Sequence, residues 1–191
     1  MRQTLAKDTL RSLSTRLPEP EEFDRLMLRL AHEDDRTAAI VGASFVESSL
    51  EYLLVSSFKV REVDLNQKLF ENRGPLSDFN SKILVAQAFD VISGKLAADI
   101  QRIRRIRNCF AHARLPVTFD EPVVAKEVSD LAAVIAVRGT RHLYRPGESF
   151  HYDSHKTSYA LSCYITVVLL HEQHVSRGGA PFIAPKSLST I

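Results

Sequence analysis

The chain has 191 residues, 45% of them hydrophobic, with 25 Lys and Arg against 23 Asp and Glu, a formal net charge of +2. That length supports one well-formed core with a small appendage. The charge is too small to imply a nucleic-acid or membrane-surface role by itself, so any basic partner surface has to be local. The two cysteines, Cys109 and Cys163, sit in apolar-patterned stretches without metal-ligand or CxxC spacing, and the default is buried reduced thiols in a cytoplasmic protein. The N-terminus lacks a signal-peptide core, and no run is expected to reach the length of a membrane span.

Residues 1–20 are polar and end in Leu17-Pro18-Glu19-Pro20, which reads as a flexible tail closed by a Pro-punctuated turn. Phe23, Leu26, Met27 and Leu30 then predict a short amphipathic helix from Glu21 to His32, with Glu33-Asp34-Asp35 as a link and capping region. Asp35 to Lys59 carries the longest helical pattern, with Ile40, Ala43, Leu50, Leu54 and Phe58 on one face. Glu47 and Glu51 fall within that face one turn apart, so both carboxylates can look at the same neighbour. Gly42, Ala43 and Ser44 are small enough to admit a second helix closely.

The periodicity breaks from Val60 to Leu76, where Asn72-Arg73-Gly74-Pro75 is strong turn chemistry and a short helix around Gln67 to Glu71 fits. Ser77 is the expected N-cap of a helix from Asp78 to Ile92, apolar nearly all round and therefore placed mid-bundle. Ser93-Gly94 makes a tight exit into Gly94 to Ala113, giving an antiparallel hairpin. Leu96, Ile100, Ile103, Ile106 and Phe110 form the apolar stripe of this last helix at about 100° per residue. Arg107 lands within the stripe. A guanidinium keeps its charge and is costly to bury unpaired, so it requires a carboxylate or a polar cleft. Glu47 and Glu51 are the candidate partners of a structural ion pair with Arg107.

Pro122 sits at a first-turn position and predicts a helix to Val137. Residues 138–157, with His142, His151 and His155, read as a long surface connection with solvated histidines. Ser158 to Ser176 is apolar and β-branched; its length favours a helix packed on the bundle over a strand. Residues 177–191 read as an irregular tail. The domain expectation is thus a single bundle from 21 to 176 between two tails.

His171-Glu172-x-His174 lacks the i, i+4 histidine pair of a metalloprotease helix and a third ligand, so no metal is expected. No phosphate loop, GxSxG turn or dinucleotide fingerprint is present, and no cofactor is expected. Basic side chains on the α-helix from Gly94, namely Arg102, Arg104 and Arg105 beside Gln101 and Asn108, are the candidate nucleic-acid surface. The amphipathic length of that helix fits a bundle member better than a recognition helix, which counts against direct DNA readout.

The run Arg107-Asn108-Cys109-Phe110-Ala111-His112 resembles the Arg-x4-His motif of the HEPN domains, which are α-helical bundles. The resemblance implies metal-independent RNA cleavage in a dimer cleft, with His112 as general acid or base, Arg107 holding phosphate charge and Asn108 orienting it. A longer likeness covers residues 38–113, through VGASFVESSLEYLLVSSF, GPLSDFNSKILVAQAFDVIS and the Arg107 to His112 run. This segment is similar to the mannitol operon repressor family. That resemblance implies an all-α fold and a negative regulator of transcription, with the route to transcription left open. The antiparallel hairpins with short links predict an up-and-down helical bundle, HEPN-like, with an additional packed C-terminal helix. The expected protein is a cytoplasmic homodimer that works through a protein partner or nucleic acid, RNA more than direct DNA readout, with no membrane.

Overall fold

The computed structural model describes residues 20–59, 62–70, 73–132 and 154–182, together with Pro18 and Ile135. Among them the chain is all-α, with α1 (Pro20–Leu30), α2 (Asp35–Ser57), α3 (Val63–Phe70), α4 (Phe79–Ala88), α5 (Gly94–His112), α6 (Pro122–Ser129) and α7 (His155–Ser176). The N-terminal tail, Asn72, the histidines at 142 and 151, Val137 and the last nine residues lie outside the described part.

Helix α2 is the axis of the bundle. Asp34 caps it by accepting the Thr37 N–H at 3.0 Å, as the acidic link foreshadowed. Its buried face is wider than a single stripe, taking in Ala38, Ala39, Gly42, Val46 and Leu53 as well as Ala43, Leu50 and Leu54. The reason is that α7, α5, α4 and α1 all pack on it. The same packing explains why α2, contrary to expectation, is long and apolar enough to cross a membrane by length and composition.

The partner along most of its length is α7. Lys156 meets Asp35 at 3.3 Å, the Tyr159 hydroxyl donates to Ala39 O at 2.9 Å, and His174 reaches Tyr52 O at 3.2 Å. Contacts advance along both helices together, so α2 and α7 run parallel and in register. At Gly42 the two helices approach closely, since a Cβ there would lie 3.2 Å from Cys163 Sγ and 3.4 Å from Tyr159 Cε1. His155, expected in a solvated loop, is instead the first residue of α7 and meets Asp120 at 3.0 Å.

On the other side of α2 lies the α4–α5 hairpin. Asp78, rather than Ser77, caps α4 by accepting the Ser81 N–H at 3.0 Å. The helix stops at Ala88, because Phe89 caps it and Asp90 takes a left-handed φ of 52°. Val91 and Ile92 then fold back, donating to Ala86 O at 2.8 and 3.2 Å, and are buried as a turn rather than as helix. Nor is α4 central, because Leu84 and Phe89 are exposed while Lys82 is buried. Ser93 caps α5 by accepting the Leu96 N–H at 3.3 Å, and Gln101 donates to Asn80 Oδ1 at 2.9 Å across the antiparallel pair.

Helix α6 ends at Ser129, short of the predicted Val137. The break coincides with a contact from α5: the Asp99 carboxylate accepts the Ala132 N–H at 3.1 Å and starts a fresh turn there, with Leu131 fully buried. Burial raises the pKa of Asp99, against the lowering by this N–H and by Arg102.

A candidate polar seam between the second, fourth and fifth helices

The stripe of α5 is buried as its spacing requires, through Leu96, Ala97, Ile100, Ile103, Ile106 and Phe110. Arg107 flanks the stripe with 32% of its side chain exposed, 3.8 Å from Glu47 Oε2. Its Nη1 also donates to Asn108 Oδ1 at 3.0 Å. This is a long ion pair, and Glu51 takes no part in it.

Both carboxylates instead converge on a residue that the periodicity of α4 concealed. Lys82 Nζ lies 3.0 Å from Glu47 Oε1 and 2.8 Å from Glu51 Oε2, with 6% of its side chain exposed. The ammonium also stands 5.9 Å from the centre of the Phe70 ring, a cation–π distance. Burial works against the charge on Lys82, but Glu47 and Glu51 outweigh it and leave the pKa raised above its ordinary value. Glu47 therefore bridges Lys82 on one oxygen and Arg107 on the other, joining α2, α4 and α5 in one polar seam. The sequence held a partial signal for Lys82: two glutamates one turn apart on a buried face call for more cation than Arg107 alone, and Lys82 is the one charged side chain of α4.

His112 is the last residue of α5 and is exposed. It follows Arg107 by five residues, about 140° around the helix. No contact joins the two side chains among the described residues. Beside it, Arg36 donates to Ala111 O at 2.9 Å, satisfying one of the carbonyls a helix end leaves free. Thus Arg107 and Asn108 are brought together, and His112 is not brought to them within one chain.

The arginines at 102, 104 and 105 are also engaged. Arg105 lies 2.8 Å from Glu127 and Arg102 3.8 Å from it, so the pair fastens α6 to α5. Arg104 donates to Gln101 Oε1 at 2.9 Å and extends the amide contact to Asn80. Much of the cationic face expected for nucleic acid is thus occupied by contacts within the fold.

The cysteines differ from each other. Cys163 is buried on α7, and burial pushes its thiol up to about 12 despite the Tyr159 hydroxyl. Cys109 is exposed, because its position lies outside the stripe of α5, so the expectation of two buried thiols is corrected. A thiol reagent at neutral pH should label one cysteine of the native protein rapidly and the second only on unfolding; mass spectrometry of the labelled peptides gives the count and the site. Among the described residues no group of three or more His, Cys, Asp and Glu side chains is placed to hold a metal ion.

Fold and seam together define an all-α bundle whose two long core helices run parallel and whose hairpin is locked on by buried ion pairs. Among solved structures the chain is similar to one in the X-ray structure of the MtlR–HPr complex from Escherichia coli, with a TM-score of 0.60 and 16% identity. The match covers 77% of this chain and 96% of that one. At that identity the likeness is one of fold. No family model matches the sequence, and no curated protein does.

Proposed function

We propose that this chain is a regulatory protein of the mannitol-repressor kind, cytoplasmic and homodimeric, that works by binding a protein partner rather than by reading DNA itself. The observation that carries this reading is the shared fold, which spans 96% of a neighbour whose structure is a complex with HPr. Two features support it. Gln101 of α5 is tied to Asn80 of α4, and Arg105, although half exposed, is paired with Glu127 of α6, contacts that occupy part of the face a groove reader would use. The small net charge leaves shape and apolar contact as the main basis of recognition.

The test is calorimetric titration of the purified protein with HPr at moderate salt, with an unrelated small protein as control. Saturable one-to-one binding to HPr alone is expected. A flat titration at high micromolar concentrations of both proteins removes a partner of that kind. RNA incubated with the protein in chelator should stay intact. Cleavage that disappears in His112→Ala would replace the regulatory reading with the ribonuclease implied by the Arg-x4-His resemblance.

A further inference from the structure

The end of α7 carries a cluster that the α2–α4–α5 seam does not use. His174 is buried, and each of its ring nitrogens faces a backbone carbonyl: Nδ1 lies 3.2 Å from Tyr52 O, and Nε2 lies 3.0 Å from Ala180 O. A carbonyl can only accept. Neutral imidazole carries one N–H and satisfies one of the two oxygens; the imidazolium carries two and satisfies both. One oxygen belongs to α2 and the other to the segment that leaves α7, so the ring is a two-point tie between them.

The local sequence is shaped to lay that segment on the ring. Gly178 has a φ of 80°, its N–H donates to Val175 O at 2.9 Å, and the Gly179 N–H donates to His174 O at 3.0 Å. This is the paired Schellman pattern that ends a helix. A Cβ on Gly179 would stand 2.1 Å from His174 Nε2, so the backbone lies directly against the imidazole. Phe182 then closes over the site, its ring centre 4.8 Å from His171, 5.3 Å from His174 and 5.4 Å from Tyr52.

The ionisable surroundings are few. Helix α2 presents the Tyr52 phenol, and the segment 178–182 has no ionisable side chain. On α7 itself stand His171 and, one turn on, Arg177, whose guanidinium reaches back to Val91 O at 3.5 Å. No carboxylate pairs with His174 among the described residues. Burial, and secondarily the neighbouring His174, hold the His171 pKa below the ordinary imidazole range, and its Nδ1 has no hydrogen-bond partner. Of the two imidazoles, His174 is the one with a carbonyl acceptor at each ring nitrogen.

We propose that residues 178–182 are a proton-dependent strap: the His174 imidazolium ties them to the end of α2, and loss of one proton frees them and uncovers the face formed by Tyr52, His171 and His174. The closed form binds one proton more than the open form. Linkage then requires closure to be favoured at low pH and lost as pH rises. The strap does not depend on the identity of any partner.

The chain has no tryptophan, so Phe182→Trp supplies a single fluorescent reporter at the strap. Between pH about 5.5 and about 8.5, spanning the usual imidazole range, its emission should move to the red and become open to acrylamide quenching, with the slope of one proton. The same reporter in His174→Gln should be quenchable at every pH. In the unsubstituted protein, the hydrogen-exchange protection factor of the Gly179 amide should fall across the same transition. Constant protection at Gly179 would overturn the proposal even if tryptophan seats poorly. A reporter transition that survives in His174→Gln would overturn it as well.

Discussion

Lys82→Ala should unfold at a markedly lower denaturant concentration than the parent protein, with a loss of about 3 kcal/mol, the low end of what breaking a buried pair costs. The reasoning starts from what remains. Glu47, with 19% of its side chain exposed, loses its close cation and keeps only Arg107 at 3.8 Å. Glu51, at 37%, can turn to water, which keeps the loss from reaching the top of that range. The cavity left by the butyl stem adds a smaller term. If the seam is a matter of charge balance, Lys82→Met, which keeps the volume, should also lose stability, and adding Glu47→Gln should recover half or more of that loss by removing the stranded charge. Equal instability of Lys82→Met with and without Glu47→Gln would mean that the stranded carboxylate is not what loosens α4 from the bundle. Urea unfolding followed by circular dichroism measures both.

The pH dependence has a definite sign. A lysine whose pKa is raised in the folded state contributes stability that is present below its unfolded value and lost as pH rises through the folded one. The parent protein should therefore lose stability above pH about 10.4 more steeply than Lys82→Met, which has no proton to lose there.

How far such a seam can be read from sequence depends on whether a residue advertises its partner. The stripe Leu96, Ile100, Ile103, Ile106 and Phe110 states the buried face of α5 by spacing alone, and the structure buries all five. Ser93-Gly94 states a hairpin because it makes a tight exit between two helical patterns. Gly42 states a close approach, although nothing local says that α7, more than 100 residues on, is the helix that approaches. Lys82 is the opposite case. Its meaning lies in Glu47 and Glu51 on another helix, and helical periodicity carries no information about a cross-helix pair. The early end of α6 is illegible for the same reason: the Asp99 carboxylate that restarts the chain at Ala132 is 33 residues away. His174 looked like half of a weak metal motif, because its two carbonyl partners are backbone atoms that no side-chain pattern records.

Gly42→Leu should destabilise the bundle by about 3 kcal/mol, the upper part of the range for overpacking a tight core. At this level α2 and α7 leave no room: Tyr159 and Cys163 are fully buried, and even a bare Cβ would meet Cys163 Sγ at 3.2 Å. Gly42→Ala divides two opposing effects. Alanine gains up to about 1 kcal/mol in helix propensity, while Sγ has to give by a few tenths of an ångström; the sum should lie near zero. Gly42→Leu has no such offset, because its added carbons require the helix axes to part. Removing the obstructing sulfur in Gly42→Leu with Cys163→Ala should return part of the loss, and the coupling energy between the two sites should be favourable in a double-mutant cycle. Because α2 and α7 run in register, parting them at Gly42 also strains the ties at their ends, Lys156 to Asp35 at one and His174 to Tyr52 at the other. Hydrogen exchange should therefore rise at both ends of α7 in Gly42→Leu, ahead of global unfolding. A change confined to the turn around Gly42 would show that the two helices bend locally instead of separating as rigid rods.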